Sequence, residues 1–309
     1  MSEKLNKVLL VVNTHSGRGI TNQKLGRIIT KFSEGGNAIV SVHLTQPGQV
    51  RQFTETHAHS FNTVVAIGGD GTFSDVAAGV SCLPEETRPV IGYIPAGTAI
   101  DIATTLALSR NADEAIDVIL AGKTIALDLG HILTTDQLFT YITAFGAFTK
   151  ASYATPQDVK KVWGHLAYVV SGAQEVFSIK SRRLYVEYDD GAIEGDFVFG
   201  SITNSLSVAG LVKLHPDDVN LSDGLFEIIL VKQPINPADF LDIINSVQKK
   251  SFHTDQIQML RTSRASFTFA EPVDFTRDGE FAGSFSQLVV ENKHNAVRVI
   301  VPESPDTQD

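Results

Sequence analysis

Short apolar runs alternate with amphipathic stretches from Val8 to Ala121. Residues 8–12, 38–44, 64–67 and 90–94 read as strands, and 64–67 has the β-branched content of a strand buried on both faces. Residues 21–32 place Leu25, Ile28, Ile29 and Phe32 on one helical face. Further helices are predicted over 49–57, just after Thr72, over about 99–106 and over 113–121. This βα alternation predicts an α/β domain with a parallel sheet and helices on both faces.

After Gly122 the pattern changes. Runs at 184–188, 197–203, 225–231 and 266–269 are strand-like, and two helical patches interrupt them, at 164–177 and 237–248. Asp190-Gly191, Asp223-Gly224 and Asp278-Gly279 are hairpin cues. The second half is therefore predicted as a larger, mostly antiparallel β domain, a sandwich or distorted barrel. No repeat or low-complexity linker divides the halves, and the expected domains are 1–124 and 125–290. The polar tail, 302–309, is expected to fray.

Composition narrows the class. At 309 residues the chain exceeds the usual single domain, and 43% hydrophobic with 19% charged residues gives ample core. No apolar run reaches the roughly 18–20 residues of a membrane span, and the first residues lack the apolar core of a signal peptide. A lone cysteine, Cys82, precludes an internal disulfide and suits a reducing cytoplasm; it is expected to be packed or semi-exposed. Net charge is −10, almost all of it after residue 124, which disfavours nucleic-acid binding. Basic clusters at Lys160-Lys161, Lys180 to Arg183 and Lys249-Lys250 are solvated faces or contacts to an anionic membrane surface. The nine histidines show no metal-ligand spacing. Trp163 belongs to a core or lines a lipid entrance.

Candidate chemistry lies in three loops behind predicted strands. Asn13, Thr14, His15, Ser16 and Gly17 form the first, Gly68, Gly69, Asp70, Gly71 and Thr72 the second, and Gly97, Thr98 and Asp101 mark the third. Each holds a glycine and a hydroxyl, and open α/β sheets bind ligands at the carboxyl ends of their strands. Glycine lets backbone N–H groups close on a phosphate, so the set suits a polyphosphate, although each member alone also reads as an ordinary turn. Neither the GxGxxG fingerprint nor the GxxxxGK[ST] loop occurs, which disfavours hydride transfer and P-loop chemistry.

These three loops together resemble the diacylglycerol kinase catalytic domain of bacterial lipid kinases. The likeness continues through His215-Pro216-Asp217-Asp218, Leu221-Ser222-Asp223-Gly224-Leu225 and Arg277-Asp278-Gly279-Glu280, and so spans nearly the whole chain. It implies an α/β nucleotide-binding domain, a larger β-rich lipid-substrate domain with the chemistry in the cleft between them, and a chain end (291–309) that returns to the first domain. It also implies an ATP- and Mg²⁺-dependent kinase that phosphorylates a lipid hydroxyl such as that of diacylglycerol. ATP would be contacted by the Asn13–Gly17 loop, Thr45, Gly68 and the glycine loop through Phe73, Ser74 and Asp75, together with Gly97 and Thr98. Glu280 would be the base, with Asp278 and Asp101 orienting it or organising magnesium. A structural Mg²⁺ would take Asp223 and the carbonyls of Asn220 and Leu225.

Thr14 stands where the family usually has proline, Phe73-Ser74-Asp75 where asparagine and glutamate are usual, and Ile100 where asparagine commonly precedes Asp101. An NAD kinase-like enzyme, which shares the Gly-Gly-Asp-Gly loop, is the enzymatic alternative, but Asn204-Ser205 does not match that family's Asn-Glu pair. A non-catalytic lipid or nucleotide binder is the other. Asp70, Asp278 and Glu280, expected as buried carboxylates, argue against it. The resemblance implies a cytoplasmic protein that visits the membrane surface, and a sheet edge could pair with a second copy.

Overall fold

In a computed structural model of the chain, residues 6–14, 21–35, 38–46, 48–97, 101–146, 180–208, 212–214 and 219–303 are described. His15, Ser16, Gly17, Thr98, Ile100, Lys160-Lys161, Trp163, the predicted helix at 164–177, the His215–Asp218 motif and the tail from 304 lie outside them. The chain divides into two compact units: Met1–Leu129 with His294–Asp309, and Gly130–Lys293.

Unit 1 contains β1 (Asn6–Asn13), α1 (Asn22–Gly35), β2 (Ala38–Thr45), α2 (Val50–His57), β3 (Thr63–Gly68), α3 (Asp70–Ser81), β4 (Val90–Pro95), α4 (Asp101–Thr105) and α5 (Ala112–Ala121), followed by β5 (Thr124–Ile132), which crosses the boundary. β1 pairs in parallel with β2 and β3, and β3 with β4. The end of the last strand of the chain joins them in parallel at Val299, opposite Ile91.

Alternation along β1 sorts the helices. Val8, Leu10 and Val12 turn to a core shared with Ile28 and Phe32 of α1 and with Ala115, Ile116 and Ile119 of α5. Those two helices are tied by ion pairs from Arg27 and Lys31 to Asp113. α5 begins at Asn111, whose side chain accepts from Asp113 N, and ends at Gly122 in the left-handed region, φ +73°.

α2 packs on α3, and Gly79 makes that approach possible. A Cβ there would stand 2.7 Å from the Arg51 carbonyl oxygen and 2.8 Å from Thr54 Cβ. Since the first neighbour is backbone, Gly79→Ala is expected to cost about 1–3 kcal/mol, read as a lower urea midpoint.

Unit 2 is built from β6 (Gln137–Phe139), β7 (Ile142–Gly146), β8 (Arg182–Tyr188), β9 (Gly191–Thr203), β10 (Ser207–Val208), β11 (Val212–Lys213), β12 (Phe226–Lys232), α6 (Pro237–Lys249), β13 (Ile257–Thr262), β14 (Arg264–Arg277) and the first part of β15 (Glu280–Ile300). Its pairings are antiparallel, among them β8 with β9, β9 with β12, β12 with β13, and β14 with β7, β8 and β15. The core is aromatic: Phe145, Phe269 and Phe275 meet with centroids 5.0–5.8 Å apart. α6 is capped by Asn236, which accepts from Asp239 N at 3.0 Å, with proline in the first turn.

The three Asp-Gly cues resolve differently. Asp278-Gly279 is the two-residue loop between Arg277 and Glu280, and both φ values are positive (+47° and +84°), as a type I′ turn requires. At the β8–β9 hairpin Tyr188 pairs with Gly191, so Asp189-Asp190 form the loop and Gly191 already opens the strand. Asp223-Gly224 is not a hairpin; it is a turn that feeds β12, with Gly224 at φ +77°.

Candidate functional site

The parallel register sets one line of candidate residues. Asn13 lies opposite Thr45, Val12 opposite Ile67, and Gly68 opposite Pro95. The carboxyl ends of four neighbouring strands thus bring Thr45, Asn13, Gly68 and Pro95 to one edge. Asn13 Nδ2 donates to Thr72 Oγ1 at 3.1 Å, joining the first loop to the glycine turn. The Gly68 carbonyl accepts from Ala96 N at 2.7 Å and Gly97 N at 3.2 Å, which draws the third loop in.

The glycine turn is shorter than expected, because α3 starts at Asp70 with Gly69 as its N-cap, not after Thr72. Asp70 is consequently in the first helical turn, and its carboxylate is buried. Oδ2 accepts from Asp101 N at 2.7 Å, and Oδ1 accepts from the Tyr93 hydroxyl at 3.2 Å. Asp70 therefore braces the start of α4 in addition to favouring its own helix N-terminus. Phe73 is not at the surface at all: it is fully buried with its ring 5.0 Å from Tyr93. The Thr45 hydroxyl is engaged by the Val12 carbonyl at 3.1 Å. Thr14 is exposed, while Gly71, Ser74 and Asp75 are half-buried along the edge and the first turns of α3.

Tyr93 was invisible as chemistry within an apolar strand. Burial first, then the Asp70 charge and hydrogen bond, pushes its phenol far above the ordinary range, so it is a permanent donor. Tyr93→Phe removes that donor from a carboxylate. It is expected to cost about 1.5–3 kcal/mol, read as a lower urea midpoint.

In unit 2 the late motif separates into two roles. Asp278 is buried; its Oδ2 accepts from Thr140 N at 2.8 Å and its Oδ1 from Tyr141 N at 3.1 Å and Ile142 N at 3.2 Å. It fastens the hairpin turn to the chain entering β7. Glu280, expected as a buried carboxylate, is 73% exposed at the start of β15, with Arg277 Nη2 4.0 Å from its Oε2. Asp278 and Glu280 do not form a matched pair of acids.

Around β12, two charges the sequence did not flag, Glu227 and Arg261, join Asp223. Glu227 is fully buried, and burial is the main cause that pushes its pKa up to about 8, against the opposing pull of Arg261. Arg261, opposite it on β13, places Nε 3.4 Å from Glu227 Oε1 and Nη2 on Asp223 Oδ2. Cys82, expected as packed or semi-exposed, is exposed at the end of α3.

The profile of the diacylglycerol kinase catalytic domain matches residues 7–132, and that of the YegS C-terminal NAD kinase beta sandwich-like domain matches residues 145–301, about half of the chain. The chain belongs to the bacterial diacylglycerol kinase family. Family relatives include the diacylglycerol kinase of Bacillus subtilis (strain 168), 28% identical over 98% of this chain and 99% of that protein. The diacylglycerol kinase of Staphylococcus aureus (strain JH9) is 29% identical over 89% and 86%. Among solved structures, a diacylglycerol kinase of Bacillus anthracis str. Sterne superposes with a TM-score of 0.73 at 21% identity, covering 97% of this chain and 98% of that one. Yeast NADH kinase gives 0.55 at 11% identity, with 98% and 85% covered; both likenesses concern the fold. The family fold has two domains, the C-terminal one β-sandwich-like and mostly strands.

The donor set that the family resemblance assigns to a structural magnesium does not fit one here. Asp223 Oδ1 accepts from Leu225 N at 3.0 Å, and Oδ2 carries the Arg261 guanidinium. The Leu225 carbonyl accepts from Asn292 Nδ2 at 3.1 Å. A divalent ion would have to sit beside a fixed positive charge.

Proposed function

We propose that this chain is an ATP-dependent lipid kinase that transfers the γ-phosphoryl group to the hydroxyl of a lipid such as diacylglycerol. The observation that carries the reading is the strand-end edge of unit 1, where Asn13 meets Thr72 and Asp70 fixes the chain at Asp101. These side-chain bonds join one strand end to the next, and positioning of that kind is what phosphoryl transfer asks of a protein. Unit 1 binds the nucleotide as its Mg²⁺ complex, through Asn13–Gly17, Gly68–Thr72, Ser74, Asp75, Gly97 and Thr98. Unit 2 binds the lipid.

Glu280 takes the proton of the attacking hydroxyl. As that oxygen forms its bond to the γ-phosphorus, the bond to the β-bridging oxygen breaks and ADP leaves. Asp278 holds the turn that presents Glu280, and Asp101, held through its N–H, orients the third loop. The exposure of Glu280 suits a base that must meet a substrate from outside the domain. The chain works in the cytoplasm and meets its lipid at the membrane surface; among the described residues no helix is long and apolar enough to cross a membrane.

The test incubates the full chain with γ-labelled ATP, Mg²⁺ and vesicles containing diacylglycerol, with a panel of other lipid alcohols and with NAD in parallel. Label extracted with a lipid phosphate supports the reading. Label in NADP would establish the NAD kinase-like alternative instead. ATP binding without transfer to any acceptor would make the chain a binder in which Ser74 and Ile100 have cost the activity.

A further inference from the structure

The turn that leads into β12 is built around one charge pair. Asp223 bridges its own turn, through Leu225 N at 3.0 Å, to β13, through the guanidinium of Arg261. The same guanidinium lies 3.4 Å from the buried Glu227 carboxyl, directly opposite on β12. On the other side of the turn, Asn292 Nδ2 holds the Leu225 carbonyl at 3.1 Å. Each oxygen of Asp223 has an internal donor, and so does the carbonyl beside it.

A guanidinium is permanently charged and planar, and it can contact two carboxyl groups at once in a fixed fork. Magnesium requires near-octahedral oxygen ligands and sheds its waters reluctantly. One carboxylate oxygen already occupied by an arginine is a poor start for such a shell. The geometry points to Arg261 as the resident cation of this turn: the side chain does here what the resemblance assigns to a structural magnesium. Unit 2 then folds without a divalent ion, and the protein's need for Mg²⁺ is confined to the nucleotide complex. The contacts of Arg261 with Asp223 and Glu227 give it a structural role.

The experiment uses the full chain without nucleotide or lipid, so its outcome is separate from that of the kinase reading. Protein stripped with EDTA is titrated with Mn²⁺ while free Mn²⁺ is followed by electron paramagnetic resonance, and melting curves are recorded in EDTA and in millimolar Mg²⁺. The wild-type chain is expected to bind no Mn²⁺ at this site and to melt at the same temperature in both buffers. Arg261→Gln removes the guanidinium from Asp223 Oδ2; it is expected to melt lower in EDTA, to recover in Mg²⁺ and to bind about one equivalent of Mn²⁺. Arg261→Lys, which keeps the charge, is expected to remain insensitive to metal. One equivalent of Mn²⁺ bound by the wild type, or a melting temperature that falls in EDTA, would overturn the inference. So would an Arg261→Gln chain indistinguishable from wild type in both buffers. If that variant does not fold, the wild-type titration and Arg261→Lys decide alone.

Discussion

Glu280→Gln is expected to lower the rate of lipid phosphorylation by about 10²–10⁴-fold and to leave nucleotide affinity and melting temperature unchanged. The magnitude follows from the role: a lipid alcohol is a weak nucleophile, and an amide of the same shape cannot take its proton. The absence of a stability effect follows from the surroundings. The side chain is 73% exposed and Arg277 lies 4.0 Å away, and an ion pair of that kind contributes little in water. Initial rates on diacylglycerol vesicles, nucleotide binding and thermal melting measured on one preparation check the three parts together. A rate equal to wild type would remove Glu280 as the base; a large drop in melting temperature would make it structural.

Much of the unit 1 edge was legible because it depends on local chemistry. A buried strand ending in Gly68-Gly69 can only turn, and Asn13 and Thr45 come to the same edge because parallel strands of equal length end together. Orientation was not legible. Whether Asp70 faces a ligand or the interior depends on where α3 begins, and its N-cap is Gly69, three positions before Thr72. Phe73 and Tyr93 illustrate the same limit: an aromatic after a glycine turn reads as a candidate contact, yet the helical phase buries it against a tyrosine from the next strand.

The unit 2 turns show what separation in sequence hides. Asp278-Gly279 announces itself as a type I′ hairpin, but the amides that its carboxylate serves belong to residues 140–142. Arg261 reaches Asp223 across 38 positions, and nothing in the pattern of either segment marks the other. Long-range pairing of antiparallel strands brings such groups together, and it is a property of register and not of any motif.

Asp278→Asn is expected to destabilise the protein by about 2–3 kcal/mol, a fall of roughly 4–12 °C in Tm for a unit of this size. Asparagine accepts the left-handed backbone that Asp278 adopts, φ +47°, about as readily as aspartate. Backbone strain therefore does not confound the result. What changes is the acceptor inventory. The carboxylate serves Thr140 N with one oxygen and Tyr141 N and Ile142 N with the other. An asparagine has one carbonyl oxygen, so in either orientation its NH₂ meets a buried N–H, and at least one backbone donor loses its partner. The consequence for catalysis differs from that of Glu280→Gln. Loosening the turn displaces the base without removing it, so Asp278→Asn is expected to regain most of its activity at a low temperature where the fold is intact. Glu280→Gln remains inactive at every temperature. Rates and melting curves of the two variants, compared from low temperature up to the wild-type midpoint, separate the residue that carries the proton from the residue that holds it in place. Equal, temperature-independent losses in both would assign Asp278 a direct part in the chemistry.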